Sequence, residues 1–323
     1  MRWLWALMAG GWLAAAEPPA APVGWQWGEF RNAQGARLRY GHATPAGATA
    51  HVAVFGGYTE FAEKYFEVLR EWHAAGYGVW FMDWRGQGGS DRYHRERERA
   101  ILVNLDDDAR DVHDFLRRHL SGARVCVAGH SLGAHILVRY LHRYPGEAAC
   151  AVLSSPTLAL AKIPWMPPWL IQARVGWGMG TGQAREWATG EHEWRDGPQR
   201  AAVEATLSSD PRRRLVQRQW FRARPELRLG GLTYQWLDTF LRSSAEVLTP
   251  PYLSAIRTPV LMGTAADDVL ASVEAQRWAA RHLRDVTQME FAPALHELFM
   301  EAERVREPWM RAIEAFLARQ LRR

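Results

Sequence analysis

Cysteine and lysine are the scarce residues of this chain: there are two cysteines in 323 residues, and only Lys64 and Lys162 among 40 basic side chains. Two cysteines cannot build the disulfide framework of a small secreted scaffold. Cys126 and Cys150 each fall in an apolar run and read as buried small hydrophobes, with a disulfide between them as the alternative. No Cys/His group has metal-ligand spacing, so neither a metal nor a cofactor is expected. There is no Gly-Lys-Ser/Thr phosphate loop, and Gly178-x-Gly180-x-Gly182 lacks the preceding strand that a dinucleotide fingerprint requires. His296-Glu297 is not followed by the second histidine of a zinc-protease helix. No apolar run approaches the roughly 20 residues of a transmembrane helix.

What is present suits a large globular protein. Hydrophobic residues make up 48% of the chain and charged ones 23%, enough for a core and an ordinary solvated surface. The 17 tryptophans suggest aromatic-lined apolar surface for an acyl chain, or simply thick packing. The net charge of +5 is carried by arginines interspersed with acids, which favours a solvated surface over a nucleic-acid groove. One run stands out: Arg212-Arg213-Arg214, then Arg218, Arg222 and Arg224, either a contact for phosphate head groups or an exposed helix face.

Arg2, the apolar stretch from Trp3 to Leu13 and the small residues Ala14-Ala15-Ala16 have the layout of a secretory signal peptide. Residues 1–16 are therefore expected to be removed and the mature protein exported, to the periplasm in a bacterium. No cysteine stands at the cleavage point to carry a lipid anchor, although peripheral membrane contact is compatible with the composition.

Further on, the apolar pattern alternates between periods. Strands are expected at 37–40, 51–55, 79–82, 124–128 and 149–153, with helices at 60–75, 101–120 and 134–141 between them. The alternation stops over 157–253, which is Pro-, Trp- and Arg-rich with helical patches. It resumes with strands at 259–262 and 288–291 and helices at 272–283 and 303–321. The expectation is a mostly parallel sheet flanked by helices, formed by 17–156 and 254–323, with a helical cap at 157–253 inserted after the strand ending near Leu153. Such an insertion sits over the carboxyl ends of the strands, where open α/β sheets bind ligands.

The chemistry centres on Gly129-His130-Ser131-Leu132-Gly133, directly after the apolar run Val125-Cys126-Val127-Ala128 and ahead of a helix. This strand-turn-helix setting presents a serine hydroxyl on a tight turn whose glycines leave room that side chains would fill. A serine becomes a nucleophile when a base and an acid reach it. Asp267-Asp268 follows the strand at 259–262, and either carboxylate could hold an imidazole in the required tautomer; His296 follows the last strand. The order Ser, Asp, His, each after a strand, is the order such a fold needs. For the oxyanion, one backbone N–H is expected from Leu132 and another from the loop after strand 51–55, at Gly57 with Tyr58 as the alternative.

Four segments together resemble the α/β-hydrolase branch of bacterial lysophospholipases and monoacylglycerol lipases. They are Gly56-Gly57-Tyr58-Thr59-Glu60, Asp83-Trp84-Arg85-Gly86-Gln87-Gly88-Gly89-Ser90, the serine pentapeptide, and His296-Glu297-Leu298. Within the insertion, 208–236 is similar to the cap of the bacterial lysophospholipases, and the likeness runs from about residue 28 to the C-terminus. It implies an α/β-hydrolase fold and a triad of Ser131, Asp267 and His296, with Asp267 chosen because Asp268-Val269-Leu270 matches the segment that follows that family's acid. Phe55-Gly56 departs from the His-Gly of the monoacylglycerol lipases. The implied activity is hydrolysis of a carboxylic ester of a single-chain lipid, a lysophospholipid first, with a monoacylglycerol or a general carboxylester as the alternative. Acyl transfer from the same acyl-enzyme is a third reading. A non-catalytic binding protein would lack a triad member, and none is lacking.

Overall fold

A computed structural model describes residues 18–162 and 167–321. The leader at 1–16 and residues 163–166 of the insertion lie outside the described residues.

Eight strands form one sheet: β1 (Gln26–Arg31), β2 (Arg37–Ala43), β3 (Ala50–Phe55), β4 (Gly78–Met82), β5 (Arg124–His130), β6 (Cys150–Ser154), β7 (Val260–Ala265) and β8 (Val286–Phe291). Their spatial order is β1-β2-β4-β3-β5-β6-β7-β8. The β1–β2 and β2–β4 pairs are antiparallel and the other five are parallel. The central strands are Val-, Ala- and Leu-rich and buried along their length because helices cover both faces. On one face α2 (Leu105–His119) and α3 (Leu132–Arg143) pack around Phe115, Leu137 and Tyr140. On the other, α1 (Phe66–Ala74) and the C-terminal helix close over Trp72, Phe299 and Trp309.

Between β6 and β7 the chain forms α4 (Pro168–Gly180), α5 (Pro198–Ala205), α6 (Val216–Ala223), α7 (Tyr234–Val247) and α8 (Pro250–Ala255), with no strand of the main sheet. Then α9 (Val273–His282) and α10 (Glu303–Leu321) complete the molecule. Among the described residues no helix is long and apolar enough to cross a membrane.

The expected strands and helices of the core are found, with one addition. β1 was not anticipated because four of its six residues are exposed, leaving no apolar alternation to read. Cys126 and Cys150 are free, buried and side by side in register on β5 and β6.

The strand order fixes where a site can form. From β3 the chain moves to β4 on one side, then returns to β5 on the other. The loops leaving the carboxyl ends of β3 and β5 therefore diverge, opening a crevice between them. Gly133, at the start of α3, lets that helix approach β3: a Cβ there would lie 2.3 Å from the Phe55 carbonyl oxygen.

Candidate active site

Ser131 leaves β5 with φ 54° and ψ −119°, a strained conformation for a side chain-bearing residue, and α3 begins at the next residue. The strain is held by bonds on both sides of the turn. The Ser131 N–H donates to the Ser154 carbonyl of β6 at 3.1 Å, and the Ser131 carbonyl accepts from Thr157 and His135.

His296 comes from the turn after β8, and its Nε2 lies 2.9 Å from Ser131 Oγ. Its Nδ1 lies 2.6 Å from Asp268 Oδ2. This corrects the expected acid. Asp267 points the other way, its N–H donating to the Ala294 carbonyl and its Oδ2 accepting from the Ala294 N–H at 3.2 Å. Consecutive residues in the turn after β7 face different neighbours; Asp267 ties down the loop that carries His296, and Asp268 meets the imidazole. The other Asp268 oxygen accepts from the Leu270 and Ala271 amides, both at 2.9 Å.

Burial by itself would raise the Asp268 carboxyl, but facing His296 and two amides outweigh it and the net shift is downward. Burial would lower His296; the Asp268 charge and hydrogen bond reverse this and hold it above the ordinary 6.5. A general base must be neutral, so kcat/KM is expected to rise with pH along a limb whose midpoint lies above 6.5. A rate profile with its midpoint well below that value would contradict the pairing. The His296 contribution to stability has the opposite sense: it is present below the unfolded value and lost as pH rises through the folded one.

A residue that the sequence reading missed completes the hydroxyl's surroundings. Thr157 Oγ1 lies 2.9 Å from Ser131 Oγ. Ser131 has one proton, directed at His296, so the Thr157 hydroxyl donates to the serine oxygen. The available clue was a hydroxyl just past the end of β6, the strand beside β5. Thr157→Val keeps the shape and removes this donor. It is expected to lower kcat by about tenfold, the upper worth of one neutral hydrogen bond, here one that aims Oγ at His296, with KM little changed and Thr157→Ser restoring the rate.

The oxyanion loop needs a second correction. Gly57 lies against Ser131, since a Cβ there would be 2.9 Å from Ser131 Cβ. Its N–H, however, donates to Glu60 Oε2 instead of facing the crevice unbound. Glu60 is only three residues on, and the tight turn brings its carboxylate back onto the amide. The next amide, of Tyr58, makes no hydrogen bond among the described residues. Leu132, as the first residue of α3, has no carbonyl one turn back to bond. The Asp83–Ser90 segment braces the loop from outside: Trp84 Nε1 donates to the Gly56 carbonyl at 2.7 Å and Gln87 Nε2 to the Gly57 carbonyl at 3.1 Å.

Beneath this loop lies a buried ionic cluster. The Lys64 ammonium donates to Glu60 Oε1 at 2.7 Å, Glu297 Oε1 at 2.6 Å and Gln217 Oε1 at 3.2 Å. Tyr65 donates to Glu60 Oε2 at 2.6 Å. One lysine thus joins the oxyanion loop, the residue after His296, and α6 of the insertion. Burial opposes its charge, but the two carboxylates raise the ammonium above its usual range. Burial likewise opposes ionisation of Glu60, yet Lys64 first and then His130 carry its carboxyl down to about 2. Ligand atoms of Glu60, His130 and Glu297 lie within 4.8 Å of one another, but the negative charge they would offer a cation is already met by Lys64.

The arginine run is largely neutralised within the protein. Arg213 pairs with Glu67 and Asp210, Arg218 with Glu204, Arg222 with Asp196, and Arg224 with Glu226.

Residues 46–303 match the family of serine aminopeptidases S33, and the chain belongs to it. It is an α/β hydrolase. Lysophospholipase L2 of Escherichia coli K12 is 25% identical over 279 residues, covering 83% of this chain and 80% of that protein. Monoacylglycerol lipase of Mycolicibacterium smegmatis is 34% identical over 137 residues, covering 40% of this chain and 46% of that one. Among solved structures, a soluble variant of Saccharomyces cerevisiae monoglyceride lipase superposes with a TM-score of 0.73 at 17% identity, covering 92% of this chain and 95% of that one. The Paleococcus ferrophilus monoacylglycerol lipase does so with 0.66 at 21% identity, covering 92% and 99%.

Proposed function

We propose that this ester-hydrolysing enzyme cleaves the carboxylic ester of a single-chain lipid, a lysophospholipid first, through Ser131, His296 and Asp268. The observation that carries the reading is the unbroken chain from Ser131 Oγ through His296 to Asp268, 2.9 and 2.6 Å, at the crevice between β3 and β5. The lysophospholipases and monoacylglycerol lipase among its relatives supply the substrate class.

In this mechanism Ser131 Oγ bonds to the ester carbon as its proton passes to His296 Nε2. The carbonyl oxygen takes the electron pair and lies against the Leu132 amide, with the second donor drawn from the 57–58 amides, of which Tyr58's is unengaged. Collapse of this intermediate breaks the bond to the alcohol, which takes the proton from His296. Water then adds to the acyl carbon, giving its proton to His296, and Oγ leaves with that proton restored. Asp268 stays ionised throughout and stabilises the imidazolium.

Residues 157–253 act as the cap in this reading. Trp236 and Leu229 of that segment meet Trp84, Leu132 and Ile136 around a narrow cleft beside the nucleophile's helix. The leader reading of 1–16 would place the mature enzyme in the periplasm, in reach of membrane lipids.

The test is hydrolysis of a lysophospholipid and a monoacylglycerol, read as released fatty acid, of a short p-nitrophenyl ester, read as p-nitrophenol, and of an amino-acyl anilide, read as the freed arylamine, the last because the family is named for a peptidase. Turnover of the lysophospholipid above the others supports the reading. Turnover of only the short ester would make this a general esterase, and cleavage of only the anilide would overturn the ester reading.

A further inference from the structure

The arginines best placed to meet an external anion lie outside the run that the sequence singles out. After β4 the chain lines an open hollow of about 500 Å³ with Arg85, Arg92, Arg95, Arg97 and His94. No carboxylate lies within ion-pair distance of any of these four guanidinium groups among the described residues, while Arg37, Arg39 and Arg99 nearby are all paired. Of the acids of the same loop, Asp91 also lines the hollow but is committed to Arg37. Asp91 accepts from the Arg37 N–H, Glu96 from Arg99, and Glu98 from the Trp194 N–H. Arg92 is held in place by the Arg97, Ser90 and Glu226 carbonyls, neutral acceptors that fix its plane without cancelling its charge. Arg85 stacks on Tyr93 at 4.2 Å, and its Nε is buried with no hydrogen-bond partner among the described residues.

Uncompensated guanidinium groups around one concavity suit a phosphate, whose oxygens match their paired N–H donors. The hollow adjoins an apolar cleft. Arg85 lines both it and the apolar cleft that contains Leu132 and Trp236. Across that cleft Asp108 makes no ion pair with Arg85, and burial and then Asp111 and Asp107 raise its carboxyl well above the usual carboxylate range.

We propose that this hollow binds the phosphate of a single-chain phospholipid substrate. The proposal rests on the lysophospholipid reading and makes Arg85, Arg92, Arg95 and Arg97 specificity determinants against neutral monoacylglycerols.

The test uses the whole mature protein carrying Arg95→Glu with Arg97→Glu, both exposed, beside a control carrying Arg212→Glu with Arg214→Glu, the same change in charge on the insertion. Lysophosphatidylglycerol and monoacylglycerol of one chain length, in neutral detergent micelles, give a ratio of kcat/KM. That ratio is expected to fall at least tenfold in the first variant and to stay within twofold in the control. Titration calorimetry with glycerol 3-phosphate and with inorganic phosphate is expected to show binding of the former that the first variant loses. An unchanged ratio, or an equal fall in the control, overturns the proposal. So does binding of both phosphates with no change in ratio, which would mark a site for free phosphate. If the wild type cleaves monoacylglycerol and no lysophospholipid, the substrate reading fails. The hollow then stands as a phosphate site only if glycerol 3-phosphate binding is present and lost in the variant, and falls if no binding is seen.

Discussion

Asp268→Asn is expected to lower kcat by about four orders of magnitude, while Asp267→Asn leaves it within a few-fold of wild type. The difference follows from where two adjacent carboxylates point. The Asp268 carboxylate accepts the Nδ1–H of His296 at 2.6 Å, so the proton sits on Nδ1 and Nε2 is left to accept from Ser131. An asparagine there can turn its NH₂ toward Nδ1, which becomes the acceptor and places the proton on Nε2, where it blocks the serine. Asp267 bonds only the Ala294 backbone, and an asparagine oxygen can keep the bond that the Ala294 N–H donates. Steady-state kinetics on the short ester read both variants, and near-ultraviolet circular dichroism shows that the fold is kept. Equal losses in the two variants would contradict the assignment of the acid.

The second large effect is on stability. Lys64→Met leaves Glu60 and Glu297 facing one another with no cation between them, in a place where Lys64 is 2% exposed. Removing one member of a buried ion cluster costs about 3–5 kcal/mol, a substantial share of a typical domain's stability. The pH dependence distinguishes charge from packing. Glu60 is depressed from 4.5 to about 2 in the folded protein, so its contribution is complete above the unfolded value and lost as pH falls through that window. The deficit of Lys64→Met, measured by urea unfolding, is therefore expected to be largest near neutrality and to narrow between about pH 4.5 and 2. A deficit that does not vary with pH would mean that Lys64 only fills space. The variant is also expected to lose activity, since Glu60 holds the Gly57 amide and Glu297 adjoins His296.

These two cases show which parts of the site can be read from a sequence. The serine turn could be, because strand, glycines and helix are contiguous and each has a local steric reason. His296 could be, because its place after the last strand is a matter of order along the chain. The choice between Asp267 and Asp268 could not, because both occupy one turn and the direction of Asp267 depends on bonds to Ala294, in a loop more than twenty residues away. Nothing local marks Lys64, one charge within the helix expected at 60–75. Its burial depends on Glu297, 233 residues along the chain, and on Gln217 in the insertion. Thr157 and the Gly57–Glu60 bond belong to the same class, single polar contacts settled by how loops meet. In the fold, β1 escaped notice because a half-solvated edge strand carries little apolar pattern. The pairing of the arginine run was not legible for a related reason: charge along a sequence does not reveal which carboxylates the fold will bring to it.

The central claim is that Ser131 forms the acyl-enzyme. The most direct measurement is to mix the enzyme with a p-nitrophenyl acyl ester, quench in acid within the first turnover, and map the adduct by peptide mass spectrometry. The expected result is one acyl group, in ester linkage, on the peptide containing Ser131, and none in Ser131→Ala. An acyl group on another residue, or turnover that persists in Ser131→Ala, would contradict it.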